Sequence, residues 1–178
     1  MATVNLYPNG TDSNNFTLST GSDAHTLVRD DASTPAGDGN CLTATASGKY
    51  CLLNLDDFTE DHSSIDGVQI VLRAGNGSRS QTYDIETKLM PGGIGAAYYT
   101  ESTGTENSNR FYLTHTFTNR TTTDGSTAWN NTLIDALRLY VKLDAHSGGT
   151  FKFTQAYVIV TYTEPVATDN AIFFGTNF

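Results

Sequence analysis

Positive charge is scarce in this 178-residue chain: Lys and Arg number 10 against 19 Asp and Glu, for a formal net charge of −9. The cations are scattered singly, so no basic stripe exists to meet a phosphate backbone, and nucleic acid is not expected as a partner. Long apolar runs are missing too. No segment approaches the ~18 consecutive apolar residues of a spanning helix, and the first seven residues have neither the charged nor the apolar region of a secretory leader. The expectation is a chain made and kept in a cytoplasm, with no membrane partner. Cysteine is limited to Cys41 and Cys51, too few for a disulfide framework. A turn over residues 46–49 would set Ala44, not Cys41, opposite Cys51, so both are expected as free buried thiols.

Catalytic and metal-binding signatures are equally sparse. His25, His62, His115 and His146 have no histidine two or four residues away, so no zinc site is written in the chain, and no Gly-x-Ser-x-Gly elbow occurs. Gly75-Asn76-Gly77 and the glycines at 92, 93 and 95 precede no helix and read as turns, not phosphate loops. Residues 56–62 gather Asp56, Asp57, Glu60, Asp61 and His62 without the spacing of a calcium loop, and read as a solvated loop, with a weak calcium site at a subunit contact as the alternative. Asp30, Asp31 and Asp38 form a looser set with the same reading. Paired carboxylates for glycoside hydrolysis are set by fold and not by spacing; no catalytic residue, metal or cofactor is assigned. Asn-x-Ser/Thr triplets at Asn9, Asn15, Asn76, Asn119 and Asn130 are what chance gives in a chain this rich in Asn and Thr.

What is present is alternation. Leu137, Leu139, Val141 and Leu143 point one way while Arg138, Tyr140 and Lys142 point the other, the period of a half-buried strand. Phe151, Phe153, Gln155, Tyr157 and Ile159 alternate with Lys152, Thr154, Ala156, Val158 and Val160, a run apolar on both faces from 156 onward and so expected at the centre of a sheet. The glycine-bearing loop 144–150 suggests that the two strands form a hairpin. Further strands are expected at Val4 to Tyr7, at 16–18, at 25–29, as a hairpin over 41–55, at 68–75, at 81–89 with Tyr83, Ile85 and Leu89 inward, and at 110–118 with Phe111, Leu113, His115 and Phe117 on one face. His115 is then a hydrogen-bonded core histidine. The sum is an all-β, antiparallel, jelly-roll-like β-sandwich of about eight to ten strands. One short helix is expected near 127–137, capped by Ser126 or Thr127 and anchored by Trp129. Residues 1–165 are read as one sandwich domain with an extended N-terminal arm over about 1–14, and 166–178 as a C-terminal tail.

The tail carries Ile172, Phe173, Phe174 and Phe178. Burying them returns roughly 6–12 kcal/mol against about 10–20 kcal/mol for ordering the segment. Docking on the parent domain barely breaks even, so arm and tail are expected to be held by other subunits.

The spacing from Trp129 through Ile134, Asp135, Ala136 and Leu137, then Val141, Lys142 and Leu143, then Phe151, Phe153, Gln155, Tyr157 and Val160 resembles the closing segment of small β-sandwich virion proteins of tailed bacteriophages, including cyanophages. Some of these are of the capsid decoration (cement) type. The resemblance covers roughly residues 126–163 and implies a non-enzymatic protein on the capsid surface, assembled in the host cytoplasm. It would act as a homo-oligomer, a trimer for example, bridging major capsid subunits. On that reading the partner-binding residues are Val4, Leu6 and Tyr7 in the arm and Ile172, Phe173, Phe174 and Phe178 in the tail, while Tyr140 and Tyr162 are either outer-face contacts or packed between the sheets. The alternative is a tail- or fibre-associated module that binds host glycans through Tyr98, Tyr99 and Tyr112.

Overall fold

The computed structural model describes residues 1–29, 39–76, 81–92, 97–107 and 112–166. In chain order these form β1 (Ala2–Leu6), β2 (Pro8–Asn14), β3 (Thr17–Leu18), α1 (Ala24–Val28), β4 (Leu42–Ala44), β5 (Tyr50–Leu55), β6 (Ser64–Asn76), β7 (Thr82–Pro91), β8 (Tyr99–Ser102), β9 (Glu106–Asn107), β10 (Leu113–Thr116), α2 (Asn131–Asp135), β11 (Leu137–His146) and β12 (Phe151–Thr163). Two six-stranded sheets result. The first runs β10-β6-β12-β4-β3 with β1 also beside β12, and the second runs β2-β5-β11-β7-β8 with β9 also beside β7. Pairing is antiparallel throughout the described ladders, and the protein is an all-β sandwich.

The core lies between the sheets. Leu137, Leu139, Val141 and Leu143 of β11 face Phe151, Phe153, Ala156, Val158 and Val160 of β12 across it, all essentially inaccessible to solvent. The predicted faces of β11 and β7 are those observed. In β12 a bulge between Phe153 and Gln155 resets the parity, so Tyr157 and Ile159 turn outward although Phe151 and Phe153 point in. β12 is central, as its two-sided apolar run indicates.

Two expected hairpins are not hairpins. β11 and β12 lie in different sheets, as do β4 and β5. The loop after β11 carries Gly148 and Gly149 at positive φ (136° and 76°) and takes the chain over the end of the sandwich. Alternation fixes which residues point inward but not which layer a strand joins. Cys41 and Cys51 are both buried and form no disulfide with each other, as expected.

The N-terminus also differs from its expected form. Residues 2–6 pair with β12 from Ala2↔Tyr162 to Leu6↔Val158, while β2 pairs with β5. Leu6 is only 2% exposed and Val4 packs on the core. The supposed arm is therefore part of the molecule's own sheets: Leu6 is buried, Val4 is half-buried against the core, and Tyr7 stands on the outer face, 5.6 Å from Tyr157. Residues 25–29, expected as strand, are mostly helix, because Ala24, Leu27 and Val28 bury one helical stripe. The second helix is shorter than expected. Asn130 caps it, its side chain accepting from Leu133 N at 3.1 Å, while Ser126 and Thr127 instead serve a turn built on Asp124. The tail residues Ile172, Phe173, Phe174 and Phe178, the acidic trio Asp30, Asp31 and Asp38, and Phe111 lie outside the described residues.

Candidate functional site

β10 edges the first sheet and β8 and β9 edge the second, and residues of all three strands line one opening between the sheets. One end of this opening is closed by Glu101 of β8. Its carboxylate accepts from Arg120 Nε at 2.7 Å and from Thr118 N at 3.0 Å. Arg120 in turn bridges to Val68 of β6 and lies 4.5 Å above the Tyr99 ring. Its carbonyl accepts from Trp129 Nε1 at 2.8 Å. The Tyr99 hydroxyl bonds the Thr122 carbonyl, and Tyr98 meets Trp129 edge to face at 5.6 Å.

Away from this clasp the edges part around a cleft of about 310 Å³, lined by Ser102, Thr103, Glu106, Thr114, His115, Thr116 and Phe117. One wall is fixed from behind by Asp84, which accepts from Ser102 Oγ at 2.6 Å and Thr103 Oγ1 at 3.3 Å. Thr103 Oγ1 also accepts from Ile85 N at 3.0 Å, and Ser102 Oγ from Gly104 N at 2.9 Å. The positive φ of Gly104 (66°) makes the tight return towards Glu106.

The opposite wall is the open edge of β10. Phe117 N donates to Ile70 O across the ladder with β6. By antiparallel alternation the backbone groups of Leu113 and His115 turn the same way, and those of Thr114 and Thr116 turn to the open side. Thr118 N, two residues on, confirms the parity by reaching Glu101 on that side.

Behind the cleft His115 Nε2 lies 3.0 Å from the hydroxyl of Tyr83, with the rings edge to face. Tyr83 is 1% exposed, and its hydroxyl also reaches Ala74 O at 3.4 Å. One arrangement satisfies all three atoms: Nε2–H donates to the phenol oxygen, the phenol donates to the carbonyl, and Nδ1 keeps its lone pair. Burial lowers the His115 pKa, opposed by the negative charge of Glu106, so the imidazole is neutral at pH 7. Burial, with Glu106 adding to it, also raises the Tyr83 pKa and keeps the phenol protonated.

The other residues singled out from sequence go elsewhere. Tyr98 and Tyr99 are engaged by Trp129, Arg120 and Thr122, and the Arg73 guanidinium lies 5.1 Å over Tyr112. Tyr140 is on the outer face as expected, beside Tyr50 at 5.6 Å and with Lys88 Nζ 5.2 Å from its ring. Tyr162 takes the second of its two expected places, buried against Phe58 at 5.5 Å with its hydroxyl 3.4 Å from Glu60. The 56–62 stretch is a strap pinned by Phe58, whose N–H donates to Asp135, and by the two-pronged Arg29–Asp56 ion pair. Asp57, Glu60 and Asp61 remain solvent-exposed. Among the described residues no cluster of His, Cys, Asp and Glu suits a metal ion, and no helix is long and apolar enough to cross a membrane. Of the cleft, sequence reasoning singled out only His115 and Phe117. Residues 101–109 read as a polar loop, and no local signal brings that loop to β10.

The chain matches no family model and no curated protein. Solved structures with some likeness include the CBM36-1 domain of a multidomain xylanase from the hindgut metagenome of Trinervitermes trinervoides, at 8% identity and TM-score 0.46, covering 92% of this chain and 100% of that one. A xylan-binding module, CBM15, gives 12% identity and TM-score 0.41, covering 92% and 99%. The Stig cyclase Fisc from Fischerella sp. TAU gives 10% identity and TM-score 0.44, covering 92% and 100%. Likeness at this level leaves function to be argued from the chain's own geometry.

Proposed function

We propose that this protein is a non-catalytic glycan-binding module whose site is the cleft between β10 and the β8–β9 edge. The observation that carries the reading is the lining itself: four hydroxyl side chains, a carboxylate and a neutral imidazole, with Phe117 beside them, in one open cleft. Ser102 and Thr103 spend their hydroxyl protons within the wall and present acceptor oxygens. Thr114 and Thr116 bring hydroxyls that can donate and accept, and the Glu106 carboxylate accepts two bonds at once, a set that suits a ligand whose surface is mostly hydroxyl. The open-edge backbone groups of Thr114 and Thr116 add further donors and acceptors. At about 310 Å³ the cleft sits at the small end of the ~300–1,000 Å³ typical of ligand sites, room for one or two sugar rings. Among the described lining residues Glu106 is the one carboxylate, whereas glycoside hydrolysis by the usual routes uses two; the reading is binding without turnover. With little apolar contact, affinities on the order of 10 µM to 1 mM follow.

A screen on a glycan array followed by calorimetry tests this. Glu106→Gln and Thr116→Ala each weaken the best ligand, by about tenfold for the charged acceptor. Full-strength binding by both variants, or no glycan bound, contradicts the reading.

A second reading, docking on a virion shell as a decoration protein, is favoured by the half-buried outer row of Tyr7, Tyr157 and Ile159 on the first sheet. Copy number in purified particles tests it: a count near that of the major capsid protein supports it, and absence from particles removes it.

A further inference from the structure

The cleft's charge bears on which glycans it takes, an inference that rests on the glycan-binding reading above. Glu106 presents a carboxylate directly to the cleft, and Asp84 stands behind Ser102 and Thr103 on the same wall. The cations on the strands framing the cleft are each already engaged. Arg120 is held by Glu101 and stacked on Tyr99, Lys88 pairs with Glu86 beside Tyr140, and Arg73 lies over Tyr112. His115, the remaining titratable group of the lining, is held neutral by burial, and Tyr83 behind it stays protonated. A ligand entering between β10 and β8–β9 therefore meets acceptors, hydroxyls and one fixed negative charge, and among the described lining residues no cation.

We propose that the site selects neutral or amino-bearing pyranosides and rejects uronates and sulfated sugars. A ring hydroxyl or ammonium donates to Glu106, whereas a ligand carboxylate in the same place has no proton to give and faces a like charge at short range. In a solvent-open cleft that repulsion is worth about tenfold in affinity.

The test is a set of matched oligosaccharides sharing one backbone and differing only in the C6 group or an amine: neutral, carboxylated and aminated. They are compared by calorimetry on the full chain at pH 7. The expected result is carboxylated members about tenfold weaker than neutral ones, with the gap narrowing between low and high salt as the exposed charge is screened. Neutral binding should be nearly independent of salt. Glu106→Gln should bring neutral and carboxylated members within about threefold of each other, chiefly by weakening the neutral ones. The salt series needs no variant and decides the matter even where Glu106→Gln folds poorly. Carboxylated members binding as well as or better than neutral ones overturns the selectivity while leaving glycan binding in place. Failure of every member to bind removes both.

Discussion

Asp124 gathers four hydrogen bonds on one carboxylate oxygen, from Ser126 N, Ser126 Oγ, Thr127 N and Thr123 Oγ1. The Thr127 backbone bond leads in holding its pKa at about 2, below the ordinary 3.8. A carboxylate favoured in the folded state contributes stability that is complete above its unfolded pKa and lost as pH falls through its folded one. The prediction is a loss of stability between about pH 4 and pH 2 in the parent that is absent in Asp124→Asn, read from urea midpoints across that range; parallel pH profiles would contradict it. His115 acts in the same sense on stability, although here it is the neutral form that the fold favours. Its folded pKa lies below 6.5 because burial penalises the charged ring. Below pH 6.5 the unfolded chain therefore binds the extra proton and stability falls as pH drops, down to the folded pKa. An NMR titration should place the His115 midpoint below 6.5, and a midpoint above it would contradict the neutral imidazole assigned to the cleft. At this scale His115 was legible as a partnered histidine on an apolar strand face. Its Tyr83 partner was not, because β7 and β10 belong to different sheets.

Among the elements, β1 separates two accounts of the N-terminus most directly. As a strand of the first sheet with Leu6 at 2% exposure, it predicts that Leu6→Ala destabilises the isolated protein by about 2–5 kcal/mol in chemical denaturation. An arm held only by other subunits predicts no change. Asn130→Ala, which removes the cap of α2, should cost about 1 kcal/mol. The alternation of Leu137 to Leu143 and of Tyr83 to Leu89 was readable because each strand is buried on one face only. Alternation was misleading at Gln155, where the bulge inserts a residue that the apolar pattern does not mark. It was silent on partners. The turn glycines at 148 and 149 fit a hairpin as well as an arch, and only the fit of both apolar faces across the core decides for the arch.

Taken as a whole molecule, the sandwich follows from sparse charge, abundant Thr and Asn, and a succession of short alternating segments, and that much was present in the sequence. The cleft was not, because it exists only where two edges from different sheets meet. Ser102, Thr103 and Glu106 on one side and Thr114 and Thr116 on the other are ordinary polar residues until the Glu101 clasp holds β8 beside the chain that follows β10. The measurement that tests the central claim most directly is an amide NMR titration of the full chain with the strongest glycan from the array. The account predicts saturable shifts confined to residues 102–106 and 114–117. Shifts centred on Tyr50 and Tyr140, or none with any glycan, would contradict it.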